Sequence, residues 1–255
     1  MKKNNKIALD LKTIKIEEKK SLNKKNESSF VFGNLPSESA ITLGNYYRRV
    51  ILSYIKGVSI FAVRISNGKQ QLTSEFSTLE GLIETPPYLI MNLKKLTFSL
   101  EDDFNENEIL ESEINIENNS SSDYIVKSSD IINKNEEVKI LNSDIYLATI
   151  SPYSSFKVDI YCKNSWGFKK HIPKINEDVN EGLILVDSNY NPILNVSFDI
   201  DFVATGIETQ EEKLVLNIET NGSLTPRDAL INALEFSLSI NETFLDILEG
   251  NKNTK

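Results

Sequence analysis

The 255 residues contain one cysteine, one histidine, one tryptophan and two methionines. The lone Cys162 excludes an internal disulfide and suits a reducing compartment. With His171 the sole imidazole, no thiolate or imidazole zinc site can be built from this chain. Long apolar runs are missing too. None approaches the ~18 residues of a membrane-spanning helix, so no membrane partner is expected. Positive charge is scarce: 28 Lys and Arg stand against 37 Asp and Glu, a net charge of −9. Sequence-independent grip on DNA depends on neutralising phosphates, so little direct DNA contact is expected. There is no phosphate loop, no G-x-S-x-G elbow and no H-E-x-x-H. The tight acidic groups, Glu101-Asp102-Asp103 and Glu211-Glu212, fall in apparent loops. Asp199 and Asp201 alternate out of a strand toward solvent. None of these forms the clustered carboxylates that two-metal chemistry needs, so no catalytic, metal or cofactor-binding residues are assigned.

What is present is ordinary for a globular protein: 40% apolar and 25% charged residues. The length suits one large or two modest domains. Heavy use of Lys, Asn and Ile is what an A/T-biased genome produces, as in organelles and reduced genomes. Met1–Lys6 is basic, but Asp10, Glu17 and Glu18 follow closely, unlike an acid-poor transit peptide.

Periodicity predicts strands over residues 6–18 and 29–35, with the polar run Lys19–Ser28 as their hairpin loop. A helix is predicted over about 39–56, with Leu43, Tyr47, Val50, Ile51 and Tyr54 on one apolar side. Ser37 or Ser39 can cap it and Gly57 ends its pattern. Arg48 and Arg49 sit beside the stripe, where long cations are useful for gripping a neighbour. Val58–Ile65 alternates as a strand, as do Val196, Phe198, Ile200 and Phe202. Leu214, Leu216 and Ile218 share a strand face that ends at an Asn221-Gly222 turn. A last helix runs from Pro226 to Ile240 or beyond, with Thr225 as N-cap, Asp228 at its positive end and Leu230, Leu234 and Leu238 on one stripe. Phe244, Leu245, Ile247 and Leu248 extend it.

The segment Thr42-Leu43-Gly44-Asn45-Tyr46-Tyr47-Arg48-Arg49-Val50-Ile51-Leu52-Ser53 resembles the signature helix of the α subunit of bacterial and plastid RNA polymerase, roughly T-L-G-N-A-L-R-R-V-L-L-S. Further stretches are similar to the same family in order. Glu75–Gly81 resembles E-[FY]-S-T-x-x-G, and Asn92-Leu93-Lys94 resembles N-L-K. Trp166-Gly167-Phe168 stands for R-G-[YF], and Glu181–Ile193 and Lys213–Pro226 follow two more motifs.

The resemblance implies an α+β fold: a dimerisation domain of mixed sheet with two helices (residues 1–100 and 181–250), an inserted β-rich domain (101–180) and a polar tail (249–255). It implies a subunit of DNA-directed RNA polymerase, a nucleotidyltransferase, that dimerises and scaffolds the catalytic subunits without active-site residues of its own. Any Mg²⁺ belongs to the catalytic subunit. The implied partners are a second copy or an α-like relative, and the β- and β′-type subunits. Asn45, Arg48, Arg49 and Lys94 are implied as large-subunit contacts. Leu43, Val50, Ile51, Tyr54, Leu230, Leu234 and Leu238 are implied as the dimer interface. A plastid-encoded product would need no import signal, so a chloroplast location is expected, with bacterial cytoplasm as the alternative.

Three departures stand out: a lengthened loop at Asn67–Thr73, Pro86-Pro87 where the family has a helix, and Glu208 in place of a family arginine. The two prolines can only start or break a helix. The Pro86-Pro87 and Glu208 changes motivate a competing reading, a diverged dimerisation scaffold that has left the polymerase. An unrelated enzyme or binding module with a coincidental motif is a third. Many family members carry a second, DNA-touching C-terminal domain, and the polar tail here implies that activity is lacking.

Overall fold

The computed structural model describes residues 14–21, 25–36, 38–100, 109–135, 138–170, 182–203 and 211–250. In chain order the elements are β1 (Lys15–Lys20), β2 (Glu27–Leu35), α1 (Ser39–Tyr54), β3 (Lys56–Ser66), α2 (Pro86–Leu93), β4 (Phe98–Leu100) and β5 (Leu110–Asn118). There follow β6 (Tyr124–Lys127), β7 (Ile132–Asn133), β8 (Val138–Ile140), β9 (Tyr146–Ile150), β10 (Ser154–Trp166) and β11 (Phe168–Lys169). The chain closes with β12 (Ile184–Leu185), β13 (Ser188–Asn189), β14 (Ile193–Val203), β15 (Glu211–Thr220) and α3 (Pro226–Glu249). The class is α+β. The chain divides into two compact units, one of residues 1–52, 193–220 and 225–255, the other of 53–192 with 221–224.

The first unit is a four-stranded sheet, order β1-β2-β15-β14, with α1 and α3. Its pairings are all antiparallel, where a mixed sheet was expected. β2 and β15 alternate strictly enough to put Phe30, Phe32, Leu214, Leu216 and Ile218 on one buried face. Tyr47 of α1 stacks on Phe32 from that side, ring centres 6.5 Å apart. Ala229, Leu230 and Ala233 form the buried stripe of α3. Each large apolar side chain buried in this way contributes about 1.5–3 kcal/mol. On the opposite face a polar row crosses three strands: Ser29 Oγ donates to Asn217 Oδ1 (2.6 Å), and Asn217 Nδ2 to Ser197 Oγ (3.4 Å). Asp199 and Asp201 are exposed, as expected.

Several boundaries move. Residues 6–13 of the first expected strand lie outside the described residues. β1 and β2 stay in register to Lys20↔Ser28, so strand pairing reaches into the polar run assigned to a loop. α3 extends to Glu249 and stops at Gly250, whose φ of 73° is a left-handed cap. Its start is as expected, with the Asp228 N–H donating to Thr225 Oγ1 at 3.1 Å.

The start of α1 is a correction. Ser39 does not cap it; its hydroxyl donates back to Pro36 O, and Ser37 lies outside the described residues. The cap comes from Glu212, far along the chain. Its carboxylate accepts from Glu38 N (2.7 Å) and Ala40 N (3.0 Å). α1 has no acidic residue in its first turn, so this buried carboxylate supplies the negative charge that the helix N-terminus favours. Glu211 and Glu212 are therefore strand residues, not loop residues. Glu101-Asp102-Asp103, Glu208, His171 and the tail beyond Gly250 fall outside the described residues.

The second unit carries a five-stranded sheet, order β12-β3-β10-β5-β7, and the ribbons β4-β8, β6-β9 and β11-β13. One apolar cluster fills it, including Val63, Ile65, Leu89, Leu93, Ile114, Leu147, Val158 and Ile160. β3 is hydrogen bonded to β10 and β12, and the division into compact units falls near residue 52, whereas the resemblance implied one near 100. Cys162 is fully enclosed, and burial pushes its thiol far above the ordinary range, which leaves it inert.

Pro86-Pro87 starts a helix rather than breaking one. Thr85 is extended and the prolines occupy the first turn of α2, where no N–H partner is needed. Buried Asn92 ties that helix to β9 through Nδ2 and Leu147 O, 3.0 Å. Gly57 lies inside β3, not at a helix end. A Cβ there would stand 2.2 Å from Tyr190 O and 3.2 Å from Pro192 Cδ, so the glycine permits a close backbone approach.

Glu84, just before α2, has a titration that can be tested. Burial alone would raise its carboxyl. Hydrogen bonds from Tyr146 Oη and from the Thr149 N–H (2.7 Å) outweigh this and hold it below the usual 4.5. A depressed carboxylate contributes stability that is present above its unfolded pKa and is lost as pH falls through the folded one. The wild type should therefore lose stability more steeply than Glu84→Gln as pH drops below about 4.5. Parallel acid limbs in denaturant titrations would contradict this.

Candidate assembly surface

α1 carries three of the four implied large-subunit contacts. Its approach to the sheet is set by Gly44, where a Cβ would meet the Phe198 ring at 2.6 Å. This closeness brings Arg48 over β14, and its Nε donates to Val196 O at 3.0 Å. β14 is an outer strand of the sheet, so Arg48 covers an edge carbonyl that would otherwise offer itself to another strand. The residue implied purely as a partner contact thus also holds its own fold together. Arg49 is exposed and makes no hydrogen bond or ion pair among the described residues. Asn45 is exposed, with Nδ2 donating to Ile41 O one turn back (3.0 Å). Lys94 belongs to the second unit, at the C-cap of α2; its side chain is exposed and its N–H donates to Ile90 O. The fold thus gathers Asn45, Arg48 and Arg49 on one helix and sets Lys94 on another.

The implied dimer residues separate into two groups. Val50, Ile51 and Leu230 are buried in the chain's own interior. They have no surface left for a partner, and their assignment as direct contacts is corrected; they serve as backing. Leu43 and Leu234 are half-buried, while Tyr54 and Leu238 are exposed.

Larger apolar surface lies further along α3. Its burial stops at Ser237, and every residue from 241 to 250 is exposed. Leu238 is 58% exposed, Phe244 59%, Leu245 57% and Leu248 83%. Ile231, Leu234, Leu238, Leu245 and Leu248 recur at three- and four-residue steps of one heptad pattern, with Asn241 at the remaining position. The heptad spacing is present in the sequence, but the stripe expected there, Leu230, Leu234 and Leu238, follows a four-residue step and begins at buried Leu230. Glu212 went unrecognised because nothing in its local pattern marks a carboxylate that reaches a helix distant in sequence.

Comparisons with known proteins agree with this architecture. The RNA polymerase Rpb3/RpoA insert domain matches residues 63–191, which lie within the second unit. The DNA-directed RNA polymerase subunit alpha of Mycoplasma mycoides subsp. mycoides is 32% identical over 225 residues, covering 88% of this chain and 68% of that protein. The Mycoplasma capricolum protein of the same name gives the same figures of 32%, 88% and 68%. That of Prosthecochloris aestuarii is 30% identical over 216 residues, or 85% of this chain and 62% of its own length. No described helix is long and apolar enough to cross a membrane. By domain match and by extended identity, this chain is a member of the α-subunit family of DNA-directed RNA polymerase.

Proposed function

We propose that this α-type subunit pairs with a second copy, or with an α-like relative, and that the pair scaffolds the β- and β′-type subunits. The first unit is the pairing and assembly domain and the second is the insert. The observation that carries the reading is the row of exposed apolar side chains on the C-terminal half of α3, Leu238, Phe244, Leu245, Ile247 and Leu248, a patch of the kind that marks a protein contact surface. Arg49 supports the second part. An exposed guanidinium on a helix, not engaged by any other described residue, suits bidentate bonding to carboxylates or peptide oxygens across an interface. In this reading the chain adds no catalytic group, and Mg²⁺ and nucleotide chemistry belong to the catalytic subunit. DNA contact is slight, in keeping with the net charge of −9.

Arg49→Ala should leave the pair intact and weaken retention of the β-type subunit. Loss of a buried charge-assisted contact costs about 2–3 kcal/mol, or roughly thirtyfold to 150-fold in affinity. Co-purification of the β-type subunit at high salt, unchanged from wild type, would refute the assignment. The residue usage supports a plastid genome as the source, with bacterial cytoplasm as the alternative; identification of the source genome decides between them.

A further inference from the structure

The second unit bears a cationic, aromatic cluster that the pairing and assembly surfaces do not use. Trp166 ends β10 opposite Lys56 of β3. Lys56 Nζ stands 5.8 Å from the centre of the Trp166 ring, and Lys169 Nζ 4.9 Å. Lys169 Nζ is also 5.9 Å from the Tyr190 ring and donates to Ser165 Oγ at 2.5 Å. Lys163 Nζ lies 4.9 Å from the Phe61 ring. The turn that assembles the group is fixed by Gly167, at φ 70°, whose carbonyl accepts from Tyr190 N at 2.9 Å. Phe168 is 61% exposed beside it, and Lys170 follows, also exposed.

Among the described residues no carboxylate forms an ion pair with Lys163, Lys169 or Lys170; Asp187 flanks β13 and is exposed. Burial, and then the charge of Lys169, push the Lys163 ammonium below its usual range. Among the described residues, Lys163 and Lys169 thus repel one another without an ion-pair partner, on a chain whose net charge is −9.

We propose that this cluster is a docking site for an acidic segment of another protein. An anion would relieve the repulsion between Lys163 and Lys169. Two features favour a peptide over nucleic acid. Ammonium groups already lie over the Trp166 ring, where a base would have to stack. A nucleic acid also carries its charge well beyond the cluster, into the repulsion of the acidic remainder, whereas a peptide can confine its carboxylates to the lysines. Exposed Phe168 offers an apolar contact at the margin.

Trp166 is the only tryptophan, so its fluorescence in the full chain reports on this site alone. A short synthetic peptide of glutamate, aspartate and leucine should change the emission saturably, with affinity falling as salt rises. Lys163→Gln or Lys169→Gln should each weaken binding by about threefold to fivefold, within the range of partly exposed ion pairs. Lys169→Arg should retain it, and Lys19→Gln, an exposed change in the other unit, should leave it unaltered. No saturable response, or equal weakening by Lys19→Gln, would overturn the proposal. So would tighter binding of an oligothymidylate of matched charge, which would assign the site to nucleic acid.

Discussion

Leu238→Glu combined with Leu245→Glu should leave the first unit folded and abolish the proposed pairing. Both side chains are more than half exposed and one heptad, about two helical turns, apart on α3, beyond the last buried residue Ser237. Neither contributes to the interior that fixes the sheet, so folding loses little. Each leucine covered on pairing is worth about 1.5–3 kcal/mol. Removing two therefore costs roughly 3–6 kcal/mol, a hundredfold to ten-thousandfold in the dissociation constant. Setting two carboxylates in the seam adds to this. Light scattering at micromolar protein, with circular dichroism to confirm the fold, reads the outcome. A pair that survives both substitutions would show that the α3 seam is covered by something other than a second α-type chain.

The second large effect is expected at Gly57. Gly57→Ala places a Cβ 2.2 Å from the Tyr190 carbonyl oxygen, with Pro192 Cδ at 3.2 Å. Both obstacles are main chain or ring atoms tied to it, so neither can turn aside as a flexible side chain does. The strand must separate from its neighbour, at about 3 kcal/mol, the upper range for an overpacked interior. Gly44→Ala is the internal comparison. Its Cβ meets only the half-buried Phe198 ring, at 2.6 Å, which can shift toward solvent. It should cost less. Hydrogen exchange in β3 and denaturant midpoints measure both. A loss at Gly57 under about 1 kcal/mol would mean that the approach of Tyr190 is not enforced by packing.

These two glycines show how the sequence conveys and withholds structure. Periodicity around Gly44 placed it correctly within α1, since helical spacing is local information. Gly57 read as a helix terminator because glycine after an amphipathic run commonly is one. Its actual reason is a carbonyl more than a hundred residues later, which no local pattern carries. The same limit hid Glu212. An acid beside an alternating strand reads as a loop, and only the folded sheet brings it under the first turn of α1. α1, the start of α3 with its Thr225 cap, and the strands Val196–Phe202 and Leu214–Ile218 were legible because amphipathic repeats and cap residues are local, whereas the α+β class came from the family resemblance.

For the candidate surface, exposure was the quantity that could not be read. Val50, Ile51 and Leu230 carry the same apolar signal as Leu238, yet the first three fill the chain's own interior. A hydrophobic stripe does not say which partner buries it. Arg48 and Arg49 looked equivalent as a pair. The fold spends Arg48 on Val196 and leaves Arg49 exposed, because adjacent helical residues point about 100° apart.

Native mass spectrometry of the complex isolated from its source tests the central claim most directly. The expected mass contains two α-type chains, at least one of them this polypeptide, bound to β- and β′-type subunits, and mild dissociation should release the α-type pair. A transcribing complex that lacks this chain, or one that holds it as a single copy with no α-type partner, would contradict the account.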